Sequence, residues 1–403
     1  MKSGKIYSFT DVILAMALTL GGFMVFSGLQ PPLQHQLNPL FDANQYEKAY
    51  GYFTGKSDNY LVNYPFSIRI LVPWFAAQLP FGDIIDNFKA INLLFSLAWI
   101  PLWFLVSKKF GLDRFKMWIG WFWITFHWVG VLKGNLSDPI TVDVPIYFFQ
   151  LLLVYCLIGR KWGLLLLITP LMTIQKESLL PLLLVLIVYP GISLWRHHDK
   201  KAPIALAAAF FISLLTLKIT GHYFPPANAG KNGAVNLFYN TVGLLGHPDL
   251  FLRWICAVTL AYGAFLWASI RNRQFWTIPI IPHHQWLIPL ALTYVFFSLF
   301  AGGDFTRIAF LGSPFIMLVL LGKLELTRIQ WGILLVMSIP AMRLFGFLPD
   351  GGADFETWKT WHPEYAPWKS LGRYCLYTAI IVLVSWKWLK NHFVTPRMKK
   401  APK

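Results

Sequence analysis

Five short stretches of this sequence carry side chains able to do chemistry. The first is Phe41-Asp42-Ala43-Asn44-Gln45-Tyr46-Glu47-Lys48-Ala49-Tyr50. Read as a helix, it puts Asp42 and Tyr46 on one face, with Glu47 about 140° around from Asp42, so a paired-carboxylate site is possible but not implied. The plain structural reading has Asp42 capping an interfacial helix whose aromatic face is Tyr46, Tyr50 and Phe53. The second stretch, Asn63 to Trp74, is apolar, bounded by Pro65 and Pro73, and holds Arg69 at its heart. It is too short to span a bilayer comfortably and reads as a re-entrant or interfacial helix. An Arg at membrane depth costs about 2.5–3.5 kcal/mol on insertion scales, so Arg69 needs an acidic partner or an anionic ligand unless it snorkels to headgroups. Three further sets lie where apolar runs begin or end: Asp138 with Asp143, Lys176 with Glu177, and Asp304 with Arg307. Lys176 and Glu177 could simply neutralise each other locally, and Asp304 and Arg307 have the spacing of an ion pair on one helical turn, with Asp304 as a cap.

The elements that must position these groups are membrane helices. Hydrophobic residues make up 56% of the 403, and the mean hydropathy is +0.52, which leaves too little polar surface to coat a soluble globule. Apolar runs predict spans at about 9–28, 87–107, 117–133, 144–158, 162–175, 178–195, 203–219, 250–270, 286–302, 305–322, 330–347 and 372–389. The expected fold is therefore an all-α integral membrane protein, a polytopic helical bundle of about 10–13 transmembrane helices forming a single domain over 1–403. The short spans at 144–158 and 162–175 are the least secure crossings. The first span is too long for a signal peptide and reads as a retained anchor.

Charge alternation orients the bundle. Lys and Arg cluster in the short connections at 108–116, 160–161, 196–201, 271–273 and 323–328 and in the tail, which the positive-inside rule makes cytoplasmic together with both termini. About fourteen of the eighteen carboxylates fall on the other side, leaving Asp11, Asp113, Asp199 and Glu325 near the cytoplasm. That extracytoplasmic side also carries the long loops, 29–86, 220–249 and 348–371, which are aromatic and too apolar in patches to be flexible linkers. The expected location is the cell (inner or plasma) membrane, multi-pass. Separate segments thus deliver ionisable groups to one membrane face, a coincidence that says more than any single motif.

Other classes are weaker. The net charge of +17 lies in short clusters between apolar runs, not along one soluble face, so no nucleic acid is expected. Cys156, Cys256 and Cys375 show neither paired nor metal-ligand spacing, and His127, His222, His247, His283 and His284 show no helical ligand spacing with a carboxylate on the same face. His197 and His198 fall in a basic turn. A transporter would use the same charges to line a path, but no inverted repeat with paired broken helices is visible.

The arrangement resembles the GT-C class of membrane glycosyltransferases, which use polyprenyl-phosphate sugars. In that class an Asp in the first extracytoplasmic loop serves catalysis, and Asp42 matches it. A bacterial pattern like Pro-Phe-x-x-Arg-x-Leu-x-Pro is similar to Pro65-Phe66-Ser67-Ile68-Arg69-Ile70-Leu71-Val72-Pro73, a later basic-Glu-Ser/Thr to Lys176-Glu177-Ser178, and an Asp-x-x-Arg to Asp304-Phe305-Thr306-Arg307. The chain departs from the class in lacking an adjacent acidic pair in the first loop and a large soluble C-terminal domain. The resemblance implies a polyprenyl-phosphate sugar donor, a lipid or glycan acceptor and contact with membrane lipids. It implies catalysis by Asp42, with Glu47 as a second carboxylate of the same stretch. Arg69, Lys176 and Arg307 would bind the donor phosphate, and Asp138, Asp143, Glu177 and Asp304 would bind sugar hydroxyls or a divalent cation such as Mg or Mn. A polysaccharide polymerase or ligase and a flippase for lipid-linked sugar are the alternatives.

Overall fold

The computed structural model describes residues 7–30, 32–39, 41–188, 201–228, 233–271, 286–300, 302–343 and 355–390. The basic turn with His197 and His198, His283 and His284, and the tail beyond Lys390 lie outside these. So do the ends of the expected spans 178–195 and 330–347, residues 229–232 of one expected loop and 348–354 of another. Among the described residues every regular element is helical.

Long apolar runs give the helices able to cross a membrane. Helices α1 (Phe9–Leu29) and, after the shorter α2 (Asp42–Phe53) and α3 (Leu71–Ala77), α4 (Ile84–Lys109) have the required length and hydropathy. Then come α5 (Arg114–Phe126), α6 (Val131–Ser137), α7 (Val144–Ile158), α8 (Trp162–Gln175) and α9 (Leu179–Leu186). Helices α10 (Lys201–Tyr223) and, beyond α11 (Gly233–Gly246), α12 (Asp249–Arg271) complete the set of four such spans among the described residues. The chain continues through α13 (Leu287–Phe300), α14 (Phe305–Leu311), α15 (Ser313–Lys323), α16 (Arg328–Met342), α17 (Phe355–Trp361) and α18 (Trp368–Lys390). Helix α1 leaves Phe9, Ile13, Leu14, Leu18, Met24 and Val25 exposed, and α10 exposes Ile204, Phe211, Leu215 and Ile219. Apolar surface of that extent on span-length helices suits lipid. The architecture is all-helical and compatible with a multi-pass membrane protein.

Three expected elements take a different form. The run at 117–133 is two helices, α5 and α6, because the chain breaks at His127–Gly130, where a Cβ on Gly130 would lie 2.4 Å from the Ile124 carbonyl oxygen. The run at 305–322 is the pair α14 and α15, bent by 66° at Gly312. The stretch around Arg69 is not one helix. A 3-10 turn, Phe66–Ile68, precedes α3, and Arg69 sits in the break between them. Helices α7 and α8, at 15 and 14 residues, form an antiparallel hairpin turned at Gly159–Lys161 and reach only about 21–23 Å each at 1.5 Å per residue.

A break inside α12 shows how such interruptions are satisfied. Gly263 has φ 55°, so local backbone bonding fails there. The Ser338 hydroxyl accepts from the Ala264 N–H at 2.9 Å, the Trp123 indole donates to the Ala261 carbonyl at 3.1 Å, and His127 Nε2 lies 2.9 Å from the Leu260 carbonyl oxygen. Backbone groups freed inside an apolar, span-length helix need such partners. This gives His127 a structural task, stacked on Phe310 at 4.2 Å. The cysteines, without paired spacing in sequence, do meet in part: Cys256 and Cys375 bring their sulfurs to 3.8 Å between α12 and α18.

The first expected loop is folded, not trailing. Ala43, Tyr46, Tyr50, Val72, Ala76, Phe88 and Ile91 form a small core with Ile140 and Val142, separate from the main one. The spacing of Ala43, Tyr46, Ala49 and Tyr50 gives α2 one buried stripe, which seats it on α3 and the start of α4. At the other end of α1, Asp11 accepts from Arg114 and Trp118, and Lys116 pairs with Glu325 at 3.8 Å. The 21 residues of α1 separate that charge cluster by about 30 Å from Leu33, whose N–H donates to the Ser137 carbonyl at 2.8 Å.

Candidate functional site

Leu33 lies on the wall of a cavity of about 820 Å³ that gathers residues from across the chain. Its charged lining is Asp42, Arg69, Asp138, Asp143, Lys176, Glu177, Asp304 and Arg307. Eight of the nine charged residues singled out in the sequence therefore converge, from five separate stretches. Glu47 does not join them. It turns to His35, with Nε2 at 3.1 Å from its carboxylate, and is not part of the cavity wall.

Arg307, in the first turn of α14, is the hub. Its guanidinium pairs with Asp42, lies 2.9 Å from Asp304 and holds Nε at 2.8 Å from Asp143, the last contact lacking hydrogen-bond alignment. The expected Asp304–Arg307 pair is present, but Asp304 makes no capping bond; it accepts from Arg307 and from the Tyr365 hydroxyl at 2.9 Å. Capping falls to Glu364, whose two oxygens accept from the N–H and the hydroxyl of Thr306 at 3.2 Å. Asp42 is likewise not a cap. It is the first residue of α2, and its side chain crosses to Arg307.

Lys176 and Glu177 do not neutralise each other. The chain turns between α8 and α9, so the two side chains diverge: Lys176 Nζ donates to Asp143 at 2.7 Å, while Glu177 takes both Arg69 Nε, at 2.8 Å, and Nη2. Arg69 also donates to the Tyr46 hydroxyl at 3.1 Å and lies over the Phe66 ring, 5.2 Å from its centroid. It is buried with its acidic partner beside it, not snorkelling. Burial alone would raise the Asp143 carboxyl, but Lys176 and Arg307 outweigh it and hold the group well below the usual carboxylate range.

The connection from Asp138 to Asp143 is pinned from outside the cavity. Asn92, buried in α4, donates to the carbonyls of Pro139 and Thr141 at 3.1 and 3.2 Å, and Gln175 donates to that of Val142. Asp138 projects from the C-terminal end of α6 and makes no side-chain hydrogen bond or ion pair among the described residues. Burial pushes its carboxyl up to about 7; Arg307 opposes the rise, and Asp42, Asp143 and Asp304 add to it.

Around the charges stand rings. Phe41, Tyr64, Phe66, Trp128, Tyr147, Tyr294, Trp358, Trp361 and Tyr365 line the cavity, Trp358 packing edge-on against Phe41 at 5.3 Å and near His362 at 4.3 Å. Arg253 ties down this aromatic segment by donating to the carbonyls of Pro363 and Ala366 at 3.0 and 2.7 Å. Sequence reasoning missed Asn92, Glu364 and Tyr365. A lone Asn inside an apolar run was a usable signal for the first. Glu364 and Tyr365 sit in an irregular loop with no periodicity to reveal their direction.

For the expected Mg or Mn ion, no group of three or more His, Cys, Asp or Glu residues is arranged to hold a metal among the described residues. Four of the five cavity carboxylates are instead engaged by cations. Comparison with protein-family models, with curated proteins and with solved structures finds no match to the chain.

Proposed function

We propose that this protein is a membrane glycosyltransferase that moves a sugar from a polyprenyl-phosphate donor to a lipid, glycan or other cell-envelope acceptor. On this reading it works in the cell membrane as a GT-C-like bundle of about 10–13 spans, with the cavity on the extracytoplasmic face and both termini cytoplasmic. The observation that carries it is the convergence of Asp42, Arg69, Lys176, Glu177, Asp304 and Arg307 on one cavity walled by aromatic rings. Those are the residues through which the sequence resembles that class.

The chemistry asks for little else. A sugar hydroxyl is a poor nucleophile and gains from a carboxylate that takes its proton, the resemblance pointing to Asp42. The phosphate leaves with added negative charge and needs fixed cations, which Arg69, Lys176 and Arg307 supply. Each of these already holds a carboxylate, so a donor phosphate enters by exchanging with one. Arg307, with three acidic neighbours, can release one and keep two. Flat aromatic faces suit sugar rings and the apolar chain that follows the phosphate.

The deciding experiment is incorporation of labelled sugar from polyprenyl-phosphate donors by purified protein in lipid, comparing the parent with Asp42→Asn and Arg69→Lys at matched folding. Loss of transfer in both, by about 100-fold or more, is expected. Donor binding and transfer undisturbed by either change would remove this site from the reaction.

A further inference from the structure

Part of the cavity wall is aromatic and built apart from the ion pairs of Arg69 and Lys176. The chain from α17 into α18 meets the charged groups at two points. The Tyr365 hydroxyl donates to Asp304 at 2.9 Å, and Trp358 packs edge-on at 5.3 Å against Phe41, the residue before Asp42. Trp358 also lies 4.3 Å from His362 and 5.3 Å from Tyr365, and Trp128 stands 5.0 Å from His362, so these rings form one continuous patch. The patch is held from behind. Arg253 donates to the carbonyls of Pro363 and Ala366, and Glu364 is fixed to Thr306. Arg343 donates to the Trp361 carbonyl and sets its guanidinium 4.0 Å from the centre of the Trp128 ring. Within this frame His362 is buried, yet among the described residues neither of its ring nitrogens makes a hydrogen bond. Its Nδ1 faces Glu364 at 3.6 Å, which leaves Nε2 for a ligand.

We propose that this patch is the acceptor subsite and that the acceptor is a glycan, its terminal sugar ring lying on Trp358 and Tyr365 with a hydroxyl bonded to His362. This rests on the glycosyltransferase reading and leaves proton acceptance with Asp42. Rigid rings with a few fixed polar groups at their edges suit a sugar, whose C–H face packs on an aromatic ring while its hydroxyls need hydrogen-bond partners. Tyr365 is 37% exposed, so its ring is open to such a contact. A lipid alcohol without a sugar offers no flat face to these rings and few groups for His362. Place in the cavity separates acceptor from donor. The patch adjoins Asp42 through Phe41, where an acceptor hydroxyl must come to lose its proton. Arg69 and Lys176, the cations for the departing phosphate, are held by Glu177 and Asp143.

Two measurements on the full-length protein in lipid nanodiscs test this. In the first, saturation-transfer NMR uses free methyl hexosides and hexose disaccharides, which carry neither phosphate nor lipid. Their ring protons are expected to receive saturation from the parent and from Trp358→Phe, and not from Trp358→Ala. In the second, labelled sugar is transferred from a polyprenyl-phosphate donor to a glycan acceptor. Trp358→Ala is expected to raise the KM for the acceptor about 3–10-fold and leave that for the donor unchanged. His362→Phe keeps a ring between Trp128 and Trp358 but loses both nitrogens, and should raise the acceptor KM by a similar factor at an unchanged Tm. It decides the matter if Trp358→Ala does not fold. No saturation of any sugar by the parent, an acceptor KM unmoved by these changes, or a rise in the donor KM instead overturns the subsite and leaves the transferase reading standing. Sugar bound at the patch with no transfer by the parent from any donor removes the transferase reading and, with it, the acceptor role, leaving a sugar-binding site.

Discussion

At the scale of single residues, the site is held by ion pairs between distant parts of the chain. Arg69 and Glu177 are 108 positions apart, and each is the other's reason for being tolerated there. Removing one partner of a buried pair leaves an uncompensated ion, at about 3–5 kcal/mol when burial is complete. The Glu177 side chain is 26% exposed to the cavity, which reduces that figure. Glu177→Gln is therefore expected to lower stability by about 1–3 kcal/mol, read as a fall in Tm in detergent. The double change Arg69→Met with Glu177→Leu should recover part of it, since no lone charge remains. A single change no worse than the double one would mean the pair contributes nothing beyond its volume.

At the scale of elements, breaks in helices do the positioning. The 66° bend at Gly312 separates α14 from α15 and leaves Arg307 on a short helix beside the cavity. The break at Gly263 is held by Ser338, Trp123 and His127. A Cβ added at Gly263 would come within 2.5 Å of the Ser338 hydroxyl, on a backbone with φ 55° that side chains rarely adopt. Gly263→Ala is expected to cost about 1–3 kcal/mol for the backbone alone, and more for the contact. A Tm within a degree or two of the parent's would show that the break is not required. Gly332, with open space where a methyl would go, is the control: Gly332→Ala lies within an ordinary helix and should not destabilise.

At the scale of the whole molecule, charge is sorted along the bundle. Asp11, Arg114, Lys116 and Glu325 meet at one end of α1, and the cavity carboxylates gather toward the other. The positive-inside rule expects the first end to be cytoplasmic, and that expectation predicts which reagents reach which residue. With Cys156, Cys256 and Cys375 replaced, Ser57→Cys should react with a membrane-impermeant maleimide in intact cells, and Lys161→Cys only after permeabilisation. The reverse pattern would invert the orientation and put the cavity on the cytoplasmic side.

Sequence by itself determined the helical class, the ends at which charges cluster, and the acidic and basic residues that line the cavity. Apolar run length and charge are additive along the chain, so they can be read without knowing the fold. The long spans at 9–28, 87–107, 203–219 and 250–270 reappear as α1, α4, α10 and α12 for that reason. Only the tertiary structure decided who pairs with whom. Asp42 reaches Arg307 across 265 positions, Glu47 turns away to His35, and Lys176 and Glu177, adjacent in sequence, serve different partners. Direction depends on where a helix stops and how the next one packs. The bend at Gly312 goes with a close approach to Tyr294 on the preceding helix, a contact that local spacing does not contain.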